Sequence, residues 1–171
     1  MGRKSITTGT GDKGKTRLFS GEESSKNSLR IETLGDIDEL VSFLGIAKNH
    51  CKKEETTESI LFVQKSLFTV ASEIAAKNKA FLKKSVDKEL MKELEERLEL
   101  LEMKVEIPDS FIVPGKNPGS AYLDFSRALA RRCERKIVKL FNENMIENEI
   151  ILAWANRLSD YLYILARYEE V

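Results

Sequence analysis

The sequence predicts an all-α protein, a five-helix up-down bundle preceded by a glycine-bearing loop. Three observations carry that expectation. Apolar residues recur at helical spacing from Leu34 onward, no segment offers a convincing pair of strands, and all three prolines, Pro108, Pro114 and Pro118, gather in one internal stretch between helices. With 171 residues and 42% hydrophobic side chains the chain can fill one substantial core, so a single domain over 1–171 is expected. Within it, residues 1–30 form the N-terminal loop and 33–170 the bundle.

Taken in order, residues 1–30 are rich in Gly, Ser and Thr and show no sustained period, which marks them as a loop segment. Leu34, Ile37, Leu40, Val41 and Leu44 outline the first helix, and Ile60, Val63, Leu67, Val70 and Ile74 the second. A third runs from about Val86 to Val105, with Ser85 and Asp87 as possible caps. The proline stretch is the one long internal loop. Two further helices follow, about Ser120 to Asn144 and Glu147 to Arg167.

Lys+Arg and Asp+Glu number 28 each, so no net field draws the molecule to nucleic acid or to an anionic membrane. No apolar run reaches the roughly 20 residues that span a bilayer, and the polar start does not read as a signal peptide; a cytoplasmic location is expected. Cys51 and Cys133 lie far apart, outside any Cys/His cluster, and read as ordinary buried or half-buried thiols. The single histidine, His50, reads as a surface or capping residue. Its isolation also excludes a carboxylate-histidine metal bundle, which needs Glu-x-x-His on facing helices.

Three segments carry chemistry. Gly9-Thr10-Gly11-Asp12-Lys13-Gly14-Lys15-Thr16 matches G-x-x-x-x-G-K-[ST], where backbone amides, Lys13 and Lys15 suit phosphate and Thr16 suits phosphate or a bound magnesium ion. The strand-to-helix context of a P-loop is missing, so the phosphate reading stands without that fold, beside the alternative of a solvated N-terminus. Arg127, Arg131 and Arg135, spaced i, i+4, i+8, share a helix face beside apolar Leu129, Cys133, Ile137 and Leu140. Guanidinium groups in a row repel one another unless a carboxylate or polyphosphate meets them, and a solvated charged face is the competing reading. In the last helix Asn156 and Asp160, one turn apart, interrupt an otherwise apolar pattern. Asn suits an adenine edge or a ribose, and Asp160 an arginine or a magnesium-bound water, against the plainer reading of an exposed polar strip.

Five motifs in order, Thr8 to Gly14, Gly35-Asp36-Ile37-Asp38-Glu39-Leu40, Phe111-Ile112-Val113-Pro114-Gly115, Arg127 to Arg135 and Asn156-Arg157-Leu158-Ser159-Asp160, resemble those of the propanediol-utilisation-type ATP:cob(I)alamin adenosyltransferases. The resemblance spans nearly the whole chain. It implies a five-helix bundle with an ordered N-terminal ATP-binding loop, assembled as a homotrimer with active sites at subunit interfaces. It further implies transfer of the 5′-deoxyadenosyl group of ATP to the cobalt(I) of cob(I)alamin, giving adenosylcobalamin and triphosphate. Cob(II)alamin is the precursor form, and Mg²⁺ is held mainly by the ATP phosphates, with no protein ligand assigned.

By the same resemblance the ATP-binding residues are Thr8, Gly9, Thr10, Gly11, Asp12, Lys13, Thr16, Arg17, Lys26, Arg131, Arg132, Glu134, Arg135 and Asn156. Asp38, Phe111 and Arg127 stand on the corrinoid side and, with Arg131, form the catalytic set: Asp38 salt-bridged to a neighbour's Arg127, Phe111 on the lower corrin face displacing the axial base, Arg131 stabilising the leaving triphosphate. The implied partners are a cob(II)alamin reductase and an adenosylcobalamin-dependent mutase or dehydratase, with neither nucleic acid nor membrane. Val41, Lys116 and Asp124 depart from the family pattern, Asp124 taking the place of a frequent His, and these changes cluster on the corrinoid side. A trimer that binds ATP as a sensor or scaffold without corrinoid turnover is the rival reading; a P-loop NTPase would need a parallel sheet.

Overall fold

Four of the five helices begin where a side chain takes up a first-turn amide. The computed structural model describes residues 7, 9–18, 20–76, 82, 84–107 and 109–171. Among these, β1 (Lys15–Arg17) and β2 (Glu23–Ser25) precede α1 (Leu29–His50), α2 (Glu54–Ala75), α3 (Lys88–Glu102), α4 (Pro118–Asn142) and α5 (Glu149–Glu170). Ser28 caps α1 through the Ile31 amide, Asp87 caps α3 through Leu90, and Asn148 caps α5 through Ile150. Asn117 and Ser120 form a reciprocal capping box at α4, with Pro118 in the first turn, where its missing N–H costs nothing. Asp87, rather than Ser85, is therefore the cap of the third helix.

The helices are those expected, with shifted ends. α1 and α2 start five or six residues before the apolar spacing shows: the opening of α1 offers only Leu29 and Ile31, two residues apart, and that of α2 is polar, the starts being supported by Ser28 at α1 and by Glu54 and Glu55 in α2. The absence of strands is corrected: β1 and β2 pair antiparallel, Thr16 opposite Ser24. Strands of three residues are too short to show a period. They are closed by Gly21 at φ 93° and by a 2.6 Å ion pair between Lys15 and Glu23.

α4 is the centre of the bundle. It packs against α1 on one side and α5 on the other, while α2 lies on α1 and α3 on α5. The core is filled by fully buried side chains from every helix, among them Leu40, Leu44, Leu67, Leu94, Leu123, Leu140, Trp154 and Tyr161. At the start of α4 the approach is close enough to demand glycine: a Cβ on Gly119 would stand 2.9 Å from Glu169 Cγ and 3.1 Å from the His50 carbonyl oxygen. Two buried charges tie the connections down. Arg30 donates to the carbonyls of Ile74 and Met145, and Glu73 accepts from the Val86 amide at 2.7 Å and from Asn148 Nδ2 at 2.8 Å. His50 is exposed in the last turn of α1, its ring against Tyr122.

Candidate functional site

The glycine-bearing loop is built by turns, with Gly9 and Gly14 at φ 67° and 77° and amides of Asp12 and Gly14 donating back to the carbonyls of Gly9 and Gly11. The hairpin returns the chain so that the Lys26 amide donates to the Gly14 carbonyl at 2.9 Å. Its ammonium lies across Gly11, 3.0 Å from where a Cβ would stand, so Gly11 leaves room for this lysine. Thus Lys26, remote in sequence, joins Gly11, Asp12 and Lys13. Asp12, Lys13 and Arg17 are exposed and Thr16 is half-buried. Among the described residues Lys13, Arg17 and Lys26 form no ion pair; Thr8 lies outside the described residues. The loop runs into β1 and not into a helix, which excludes the P-loop arrangement.

The arginines of α4 fall into two groups. Arg132 stands 3.4 Å from Asp36 and donates to Glu39, and the next turn repeats the arrangement with Lys136 3.1 Å from Asp36 and 3.5 Å from Glu32. Arg131 and Arg135 are exposed and, among the described residues, have neither ion pair nor hydrogen bond. Glu134 is half-buried between them. Behind the row Cys133 is buried, and burial, helped by Asp36, pushes its thiol up to about 12, so it stays protonated and unreactive. Cys51 is also pushed up to about 12, mainly by burial. Among the described residues, none of the hydrogen bonds or ion pairs made by 11–28 reaches α4.

Two cavities open along α4 and α5. One, of about 620 Å³, is lined by Phe111, Ile112 and Pro114 of the internal loop and by Asp124, Arg127, Tyr163 and Arg167. The other, of about 290 Å³, is lined by Glu102, Ile107, Arg127, Arg131, Ser159, Asp160 and Tyr163. Arg127 and Tyr163 stand in both walls. Phe111 is fully exposed at the rim, an unusual position for so large an apolar side chain. Beneath it Arg167 donates to Asp124 at 2.5 Å and stands 3.1 Å from Glu170. Arg127 Nε lies 4.0 Å from the other oxygen of Asp124. A larger cavity, about 680 Å³ around Glu73, Lys84 and Asp87, gathers none of the expected residues, and its Glu73 is already engaged by Val86 and Asn148.

The model of the cobalamin adenosyltransferase family matches residues 6–169. The chain belongs to that family. It is 35% identical to a corrinoid adenosyltransferase of Citrobacter freundii over 96% of this chain and 94% of that one, and 35% identical to a corrinoid adenosyltransferase of Bacillus subtilis over 95% and 84%. Among solved structures it resembles a variant of the Lactobacillus reuteri ATP:corrinoid adenosyltransferase complexed with cobalamin and ATP. There the TM-score is 0.87 and the identity 30%, covering 97% of this chain and 93% of that one.

Set against this adenosyltransferase fold, the sequence-expected residues divide by position. Arg127 and Arg131 share one cavity, and Arg127 shares the other with Phe111. Asn156 is exposed on α5, and Asp160, also exposed, pairs with Arg157 at 3.0 Å. Asp38 is exposed on α1 and has no ion pair among the described residues. Tyr163 and Arg167 were not anticipated: in sequence they sit within an apolar helix end, and only their i, i+4 spacing, with Asp124 43 residues away, would have hinted at a shared wall. Among the described residues no group of three or more His, Cys, Asp or Glu is disposed to hold a metal ion, and no helix is long and apolar enough to cross a membrane.

Proposed function

We propose that this chain transfers the 5′-deoxyadenosyl group of ATP to the cobalt(I) of cob(I)alamin. The observation that carries the reading is Arg127, which stands in the wall of both cavities, one rimmed by Phe111 and the other by Arg131. A nucleotide and a large, mostly apolar corrinoid would thus meet at one side chain. In the reaction the cobalt(I) electron pair attacks the 5′ carbon, a Co–C bond forms, the C5′–O bond breaks and inorganic triphosphate leaves with those electrons. No protein nucleophile is required. The residues supply alignment and charge: Arg131 and Arg135 on the triphosphate, Lys13, Lys26 and the glycine loop around its other side, Asn156 toward the nucleoside. The described residues offer no carboxylate cluster for Mg²⁺, and the ion would arrive on the phosphates, whose charge it neutralises.

Assembly as a homotrimer is part of the proposal. Among the described residues Arg131, Arg135 and Asp38 have no ion pair and no bond from residues 11–28 reaches α4, which favours a site completed by a neighbouring subunit. An aromatic patch, with exposed Phe125 tilted against Phe43 at a centroid distance of 4.6 Å, offers surface for such a contact. In it Asp38 would pair with the neighbour's Arg127, and Phe111 would cover the lower corrin face. A cytoplasmic location, a reductase supplying cobalt(I) and a mutase or dehydratase consuming the product complete the reading.

The test is anaerobic incubation with chemically reduced cobalamin, ATP and Mg²⁺, following loss of the cobalt(I) absorbance. Adenosylcobalamin and triphosphate in equal amounts are expected, and a tenfold or greater fall in rate for Asp38→Ala, about 1.4 kcal/mol or more. ATP binding with neither product would overturn the reading in favour of a nucleotide-sensing trimer.

A further inference from the structure

We infer that Asp124 is a positioning residue for the corrinoid side of the site, acting through Arg127. The inference rests on the function proposed above and on the geometry of four charges. Asp124 is only 5% exposed, and its two oxygens are divided: Oδ2 accepts from Arg167 at 2.5 Å, and Oδ1 faces Arg127 Nε at 4.0 Å. Arg167, 3% exposed, also has Glu170 at 3.1 Å, so its charge is answered without the whole of Asp124. Within a single chain Arg127 has no such reserve, the neighbour's Asp38 proposed above reaching it only on assembly. Among the described residues Asp124 is its sole ionic neighbour, and its buried Nε has no hydrogen-bond partner.

The i, i+3 spacing on α4 keeps the two side chains adjacent whatever the rest of the site does. A contact of 4.0 Å holds by charge rather than by a formed hydrogen bond, and the shielded setting strengthens it relative to water. With its Nε edge drawn to Asp124, the forked end of Arg127 is left for the two cavities and for the neighbour's Asp38. An arginine released from this hold would lose that preference and give up several rotatable bonds on meeting a ligand, which weakens binding. Asp124 therefore bears on the corrinoid while touching only the arginine. The aromatic ring of Tyr163, 5.4 Å beneath the Arg167 guanidinium, closes the same wall from α5.

A double-mutant cycle on affinity tests this, with the dissociation constant for cob(II)alamin measured by equilibrium dialysis in the presence of ATP, and that for ATP alone. Asp124→Asn should weaken cob(II)alamin about tenfold, the effect of one charge-assisted contact, and weaken ATP by a smaller factor, because Arg131, Arg135 and the lysines still hold the triphosphate. In an Arg127→Met background the same Asp124→Asn change should have no further effect. Asp124→Asn/Arg167→Gln, which removes the buried pair together and so protects the fold, should be as weak for cob(II)alamin as Asp124→Asn alone. Independent, multiplying effects of the Asp124 and Arg127 changes would overturn the inference, as would recovery in the Asp124/Arg167 variant, since both would reduce Asp124 to a counter-charge for Arg167. A parent protein that binds ATP but no cob(II)alamin would instead sink the proposed function, and this inference with it.

Discussion

Arg132 and Lys136 look inward from α4 and meet Asp36, Glu39 and Glu32 of α1; Arg131 and Arg135, on the same helix and one residue earlier in each turn, meet no acid among the described residues. The same side-chain chemistry is thus committed to holding two helices together on one side and left available on the other. An arginine already engaged by two carboxylates gains little from a phosphate, because the new contact replaces an old one. An unengaged arginine gains all of it. This difference ranks the residues of the row for phosphate: Arg131 and Arg135 first, and Arg132, despite the family resemblance that groups it with them, behind.

Breaking the open side should have the largest effect. Arg131→Ala is expected to lower kcat/KM about 100-fold or more, in line with removal of a group that stabilises developing charge, while the melting temperature stays close to the parent's. Initial rates and thermal melts on the same preparation check it; a large drop in Tm with activity retained would place Arg131 among the fold-holding arginines. The closed side should show the reverse. Asp36→Asn leaves Arg132 and Lys136 with their outer partners only and should cost about 1 kcal/mol in urea unfolding, with kcat/KM within about threefold of the parent. If turnover falls as far as for Arg131→Ala, the division between the two sides of α4 is wrong.

The smallest effect belongs to a paired but solvent-washed site. Hydrogen bonds from Lys104 and then from Tyr168 hold the Glu55 carboxyl below its ordinary range. Its contribution is therefore fully present above the unfolded value of about 4.3 and disappears as pH falls through the lower folded value. After screening by solvent it amounts to a few tenths of a kcal/mol. Urea midpoints for Glu55→Gln should lie slightly below the parent at pH 7 and coincide with it near pH 2; a gap that widens in acid would contradict the sign.

The helices were legible because burial imposes a period on the sequence, as Ile60, Val63, Leu67, Val70 and Ile74 display and as their complete burial explains. Their ends were less so, since the first turn of α2 carries no apolar residue and Leu29 and Ile31 at the start of α1 are two residues apart rather than at a helical interval. The arginine row was legible as a row. Which of its members were free was not, because the answering acid Asp36 is 96 residues from Arg132, and nothing local to Arg131-Arg132 tells the two apart. The hairpin escaped notice for its brevity, and Tyr163 with Arg167 because a polar residue at the end of an apolar helix has many explanations until its neighbour across the bundle is known.

The central place of α4 has a kinetic consequence. α1 and α2 leave the ribosome well before α4, yet the carboxylates of α1 and the part of its apolar face that α2 leaves open find their partners only there. The nascent chain must carry that face uncovered over the synthesis of some seventy residues, on the order of several seconds at about 5–20 residues per second. Docking of α4 then closes contacts far apart in sequence, the kind that slow folding most. Chains halted before Pro118 would therefore expose an unmatched helical surface, and chaperone demand should fall sharply once α4 has emerged.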